Sequence, residues 1–69
     1  MLKAIEGVKL VGEGAYWAVE IDDIPVVSQE SYAVASRLAC FLRYPSRLDH
    51  SEIAEVAKSI LRDYWGDPS

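Results

Sequence analysis

The chain has 69 residues, of which 51% are apolar and 26% charged, the composition of one small folding domain and not of a disordered segment. Seven basic and eleven acidic side chains give a net charge of −4, which opposes non-specific attraction to DNA or to an acidic membrane surface. Cys40 is the only cysteine, which excludes an internal disulfide, and no cluster of soft ligands offers a structural zinc site, so packing or association must supply the stability.

The opening MLKAIEGVKL holds no apolar run of signal-peptide length, and nothing approaches the roughly 18 apolar residues of a membrane span. The expected location is the cytoplasm of a bacterium or of an infected host cell, with no membrane partner. Lys3 to Val11, rich in Val, Ile and Leu, predicts a strand whose weak point is Gly7, and Gly12-Glu13-Gly14 predicts a turn. Tyr16 to Ile21 alternates, with Trp17, Val19 and Ile21 on one side and Tyr16, Ala18 and Glu20 on the other. Asp22-Asp23 is a two-residue hairpin loop, because Asp tolerates left-handed backbone, although glycine suits the second position better. Ile24-Pro25-Val26-Val27 forms the third strand, and Pro25, which lacks an N–H, places it at a sheet edge.

Ser28 or Ser31 caps a first helix running to about Tyr44, with Val34, Leu38, Phe41 and Leu42 on one face and Pro45 as the stop. Asp49 and Glu52 have the spacing of a capping box for a second helix, and Leu48 and Ile53 that of a hydrophobic staple. Ile53, Val56, Ala57, Ile60, Leu61 and Tyr64 continue it at helical spacing, and Gly66 ends it. The expected architecture is α+β, in the order β-β-β-α-α: a three-stranded antiparallel meander with two helices packed on one face. Residues 1–66 form one domain and 67–69 a frayed tail.

Chemistry finds little purchase here. His50, the only histidine, would need Cys40 or a serine and an orienting acid such as Asp49, but Cys40 falls within a helix turn needed for packing. Asp22 and Asp23 on a hairpin tip stay hydrated and ionised, which does not tune them for proton transfer. Glu20, Asp22, Asp23 and Glu30 match no EF-hand spacing, and Gly12-Glu13-Gly14 lacks the lysine and hydroxyl of a phosphate loop. No catalytic residue, metal ligand or cofactor is expected, nor room for a small ligand in so short a chain.

Surfaces remain. Glu13, Glu20, Asp22, Asp23 and Glu30 fall in a segment without a basic residue, and Arg37, Arg43 and Arg47 in one without an acid. Two helices cover one face of a three-stranded sheet, which leaves Ile5, Val11, Tyr16, Ala18 and Val27 on the open face unless a bulge at Gly7 reassigns them. Trp17 is expected in the core, and Trp65 either as a lid on it, the favoured reading, or as an exposed anchor.

The leading functional expectation is a small acidic inhibitor or adaptor that docks Glu13, Glu20, Asp22, Asp23 and Glu30, with Tyr16 among them, onto a basic surface of a protein or ribonucleoprotein complex that handles nucleic acid. The alternatives are nucleic-acid binding through Arg37, Arg43 and Arg47 and a structural homo-oligomer, with a homodimer compatible with any of them. In size, acidity and lack of catalytic motifs the chain resembles the small proteins with which phages and mobile elements disable host defences, anti-CRISPR proteins among them. The resemblance spans the whole chain and implies an inhibitory role. It includes no motif, so no residue role is carried over.

Overall fold

A computed structural model describes residues 2–66; the frayed tail expected at 67–69 lies outside the described residues. The element order is β1 (Val8–Glu13), β2 (Tyr16–Ile21), β3 (Ile24–Glu30), α1 (Tyr32–Arg43), a short 3-10 turn (Pro45–Arg47) and α2 (Glu52–Trp65). The three strands form one antiparallel sheet in the order β1-β2-β3. The α+β meander with two following helices is thus the architecture of the chain.

Both hairpins turn on two residues, and in both the backbone angles suit the residues present. Glu13 pairs with Tyr16 across Gly14-Ala15, and Gly14 carries the positive φ of 66° that the first position of a type II′ turn demands. The turn therefore lies two residues later than Gly12, which stays in the strand opposite Trp17. An added Cβ at Gly12 would meet the Trp17 ring at 3.4 Å, so the indole covers the strand glycine and takes the place of its missing side chain. At the second hairpin Asp22 and Asp23 both have positive φ, 52° and 66°, the signature of a type I′ turn.

Gly7 breaks the first strand. Its φ of 79° redirects the chain, so that β1 starts at Val8 and not at Lys3. The preceding residues run beside α1 instead, where the Ile5 N–H donates to the Leu42 carbonyl (3.0 Å) and satisfies one of the open acceptors of the helix end. Ile5 is consequently 2% exposed and belongs to the core, which corrects its placement on the open sheet face. The reason is local: alternation holds only along an unbroken strand.

The core lies between the sheet and α1. Val8, Val19 and Ile21 are buried on the sheet face toward the helices and pack with Leu38, Phe41 and Leu42 of α1 and Leu61 of α2. Leu10, Trp17 and Val27 pack at its margin, Val27 again correcting the open-face expectation. Ala18 alternates to the far side of the sheet but is only 1% exposed, because a methyl group on the central strand is too short to rise above its neighbours. The open face keeps Val11, Tyr16 and Pro25 as its larger apolar groups, among Lys9, Glu13 and Glu20.

Both helices are capped by serine. Ser31 accepts from the Val34 N–H, and Ser51 from the Ala54 N–H, both at 3.2 Å. Ser51 is thus the cap of α2, which corrects the capping box built on Asp49 and Glu52. Asp49 acts one step earlier: its carboxylate accepts from the Ser51 N–H at 2.8 Å and holds the cap in place. Leu48 and Ile53 both pack against the core, although they do not occupy the staple positions that flank Ser51. Gly66 ends α2 with φ 81°.

Candidate functional site

β3 is the least regular strand. Glu20 pairs with Pro25, Val19 with Val27 and Trp17 with Glu30, so β3 carries one extra residue before Val27 and another after it. Gln29 adopts a positive φ of 57° at the second irregularity. Pro25 offers no N–H, and two bulges interrupt the remaining ladder, so the free edge of β3 presents no continuous row of donors and acceptors. The bulges also turn Val26 and Val27 toward the helix side of the sheet.

α2 meets these side chains without covering them. Its main neighbour is α1, against which Ala54, Ala57 and Leu61 are fully buried. A second row on the same helix, Ile53, Val56, Ile60 and Tyr64, faces β3 across an open seam. One depression of about 410 Å³ has Ile21, Asp22, Ile24 and Val26 on the strand side and Ile60, Asp63 and Tyr64 on the helix side. A second, about 250 Å³, lies about two turns back along α2, between Val27 and Glu30 on one wall and Glu52, Ile53 and Val56 on the other, with Val34 and Leu38 beneath. Room for a bound group thus exists, contrary to expectation, but at the surface between strand and helix.

The exposed large aliphatic side chains among the described residues, Ile24 (65%), Val56 (46%) and Val26 (37%), all lie here beside the exposed Tyr64, whereas the other exposed aromatics, Tyr16, Tyr32, Tyr44 and Trp65, lie elsewhere. The rim is one-signed: Asp22, Glu30, Glu52 and Asp63 line the seam and, among the described residues, no basic side chain does. On α2 the basic residues Lys58 and Arg62 lie on the opposite side of the helix, each about 200° from the seam residue Ile60.

The expected acidic face, by contrast, is not one surface. Glu13 and Tyr16 flank the Gly14 turn, and Asp22 and Asp23 form the opposite end of the sheet, about 20 Å away by strand length. Between them Glu20 stands across from Lys9, whose ammonium donates to Asp23 at 2.8 Å. That hydrogen bond, then the charge attraction, raises the Lys9 pKa and lowers that of Asp23; both groups are well exposed, so water screens the pair. Glu30 pairs with Trp17 and so faces the helix side. Of the six residues, Asp22 and Glu30 belong to the seam and Glu13, Tyr16, Glu20 and Asp23 do not.

The arginines are dispersed as well. Arg37 and Arg43 point about 120° apart around α1. Arg37 is bonded to Asp49 and lies 5.5 Å over the Phe41 ring, and Arg43 donates to the Val8 carbonyl at 2.6 Å, bracing β1 against the helix. Arg47 stacks 5.3 Å over Tyr44. Two of the three therefore hydrogen-bond this chain's own groups and the third stacks on its own tyrosine.

Trp65 is 48% exposed, yet its indole N–H donates to the Lys3 carbonyl at 3.1 Å and Lys3 sits 5.3 Å over the ring. It pins the N-terminal segment and does not pack against the core, which corrects the expectation that it is a lid. Trp17 is half-buried, covering Gly12 and meeting Tyr32 edge-on at 4.9 Å. Cys40 is half-buried in α1 and His50 exposed before α2. Among the described residues no group of three or more His, Cys, Asp or Glu is placed to hold a metal ion, and no helix is long and apolar enough to cross a membrane.

Sequence reasoning missed Val56, Ile60, Asp63 and Tyr64 as site residues. One signal was present: the apolar residues of α2 from Ile53 to Tyr64 span an arc of about 160°, wider than the roughly 100° stripe needed to face one core. Compared with protein-family models, with curated proteins and with solved structures, the chain matches none.

Proposed function

We propose that the chain is a non-enzymatic protein-binding module, an inhibitor or adaptor of the anti-CRISPR kind, that docks on a basic surface of a protein or ribonucleoprotein complex handling nucleic acid. The observation that carries this reading is the seam between β3 and α2, where exposed apolar side chains are edged by four carboxylates and no cation. Apolar area supplies affinity in such an interface, and one-signed charge steers encounter and excludes acidic surfaces. The seam replaces the sheet face as the docking site, since Lys9 compensates that face in part.

The competing reading, nucleic-acid binding through Arg37, Arg43 and Arg47, is disfavoured by the internal bonds of Arg37 and Arg43. Few phosphate contacts would remain, against a net charge of −4. A pull-down of tagged protein from a bacterial lysate, with and without nuclease and at two salt concentrations, separates the readings. Retention of a defined complex after nuclease, weakened by salt, is expected. Recovery of nucleic acid alone would favour the arginines, and recovery of nothing else a self-associating domain.

A further inference from the structure

We infer that the seam between β3 and α2 receives an amphipathic helix of the partner protein, with an apolar stripe flanked by lysines or arginines. This rests on the protein-binding reading and adds the form and chemistry of what is bound. Three observations select that occupant.

The first excludes a strand. An extended peptide gains its affinity by continuing a ladder of main-chain hydrogen bonds. The free edge of β3 cannot supply one, with Pro25 lacking a donor, two bulges shifting the register and Gln29 at positive φ. What binds beside β3 must have its own backbone groups satisfied internally, as a helix does.

The second is the geometry of the walls. Ile53, Val56, Ile60 and Tyr64 repeat at helical spacing and span about 16 Å along α2. A guest helix of about three turns covers that length, and apolar residues at i, i+4, i+7 and i+11 lie along one side of it. Ile24 and Val26 form the opposite wall, so the guest contacts both.

The third is charge. Asp22 and Asp63 edge one depression and Glu30 and Glu52 the other, so carboxylates occur along the whole seam with no cation among them. Basic residues flanking the guest's apolar stripe meet this rim, whereas an acidic helix of identical apolar pattern is repelled.

The probe is a 14-residue synthetic peptide with leucine at those four spacings and lysine beside them. Its controls are a scrambled peptide of the same composition and a version with glutamate for lysine. Amide chemical-shift mapping on the labelled protein should place the perturbations at Ile24, Val26, Val56, Ile60 and Tyr64. The peptide should gain helicity on binding and bind at least ten-fold more tightly than either control. Val56→Lys and Ile24→Lys alter exposed side chains; each should keep the melting temperature and weaken the peptide at least ten-fold. Asp22→Asn with Asp63→Asn should weaken it less and remove most of its salt dependence.

Equal binding of the scrambled peptide, shifts clustered elsewhere, a guest that stays non-helical, or affinity unchanged in both lysine variants would each overturn the inference. So would a dimer in sedimentation whose interface shifts map to the seam, which would assign it to a second copy of this chain. Two failures remain distinct in the lysate. If Val56→Lys retains the protein that the unaltered chain captures, the seam is not the site but protein binding stands; if the unaltered chain captures no protein, both fall.

Discussion

The two helices are of similar length and are capped in the same way, yet they do different work. α1 is enclosed: it touches β1, β2, β3 and α2, buries Ala35, Leu38, Ala39, Phe41 and Leu42, and its Arg37 and Arg43 bond neighbouring segments. α2 is enclosed on one side only, where Ala54, Ala57 and Leu61 meet α1, and shows a second apolar row to the seam. The contrast teaches that helical periodicity reports where apolar side chains are, not whether the fold covers them. In this chain the covered stripe holds the domain together, and the second row is covered only in part, half-buried at Ile53 and Ile60 and exposed at Val56 and Tyr64.

Substitutions that treat the helices alike should therefore give unequal results. Leu42→Ala in α1, at a fully buried position, should cost about 2–5 kcal/mol by urea denaturation, a large part of what a domain of this size possesses. Removal of the cap by Ser51→Ala should cost about 1 kcal/mol and loosen α2 first, which amide exchange in its opening turn can detect. At the exposed seam position Val56→Ala should change stability by less than about 0.5 kcal/mol. A loss at Val56 as large as that at Leu42 would show that the seam is structural core and would end the distinction.

Acid sharpens the comparison at the start of α2. The Ser51 hydroxyl and N–H, and then the Arg37 guanidinium, hold the Asp49 carboxyl down at about 2. A carboxylate with a lowered folded-state pKa stabilises the fold fully above its ordinary value of 3.8, and that contribution fades as pH falls toward about 2. Asp49→Asn should flatten the decline in stability over that window, and an unchanged acid profile would remove Asp49 from the cap.

Much of the fold was legible because its signals are local. The alternation of β2, the Asp22-Asp23 turn, Ser31 and Pro45 each act within a few residues, and the structure uses each as expected. Ser51 was passed over because Asp49 with Glu52 fits a familiar spacing equally well, and choosing between two caps two residues apart depends on backbone angles. Gly7 showed only as a weak point, since a glycine permits positive φ without requiring it. The seam was the least legible feature: it depends on two bulges in β3 and on how far α2 sits from the sheet. The division of the expected acidic residues was hidden for a related reason, because the pairing of Lys9 with Glu20 and Asp23 appears only once the strands are in register.

The tie between Lys3 and Trp65 joins residues 62 apart in sequence, whereas Trp17 leans on Gly12 and Tyr32, close to it along the chain. Closing the longer loop costs more chain entropy, so the expected outcome is that this contact forms after the hairpin around Trp17. On that expectation the two indoles are clocks set to different hours, and stopped-flow fluorescence of single-tryptophan variants should give a slower phase for Trp65 than for Trp17; equal rates would show that the two contacts form together.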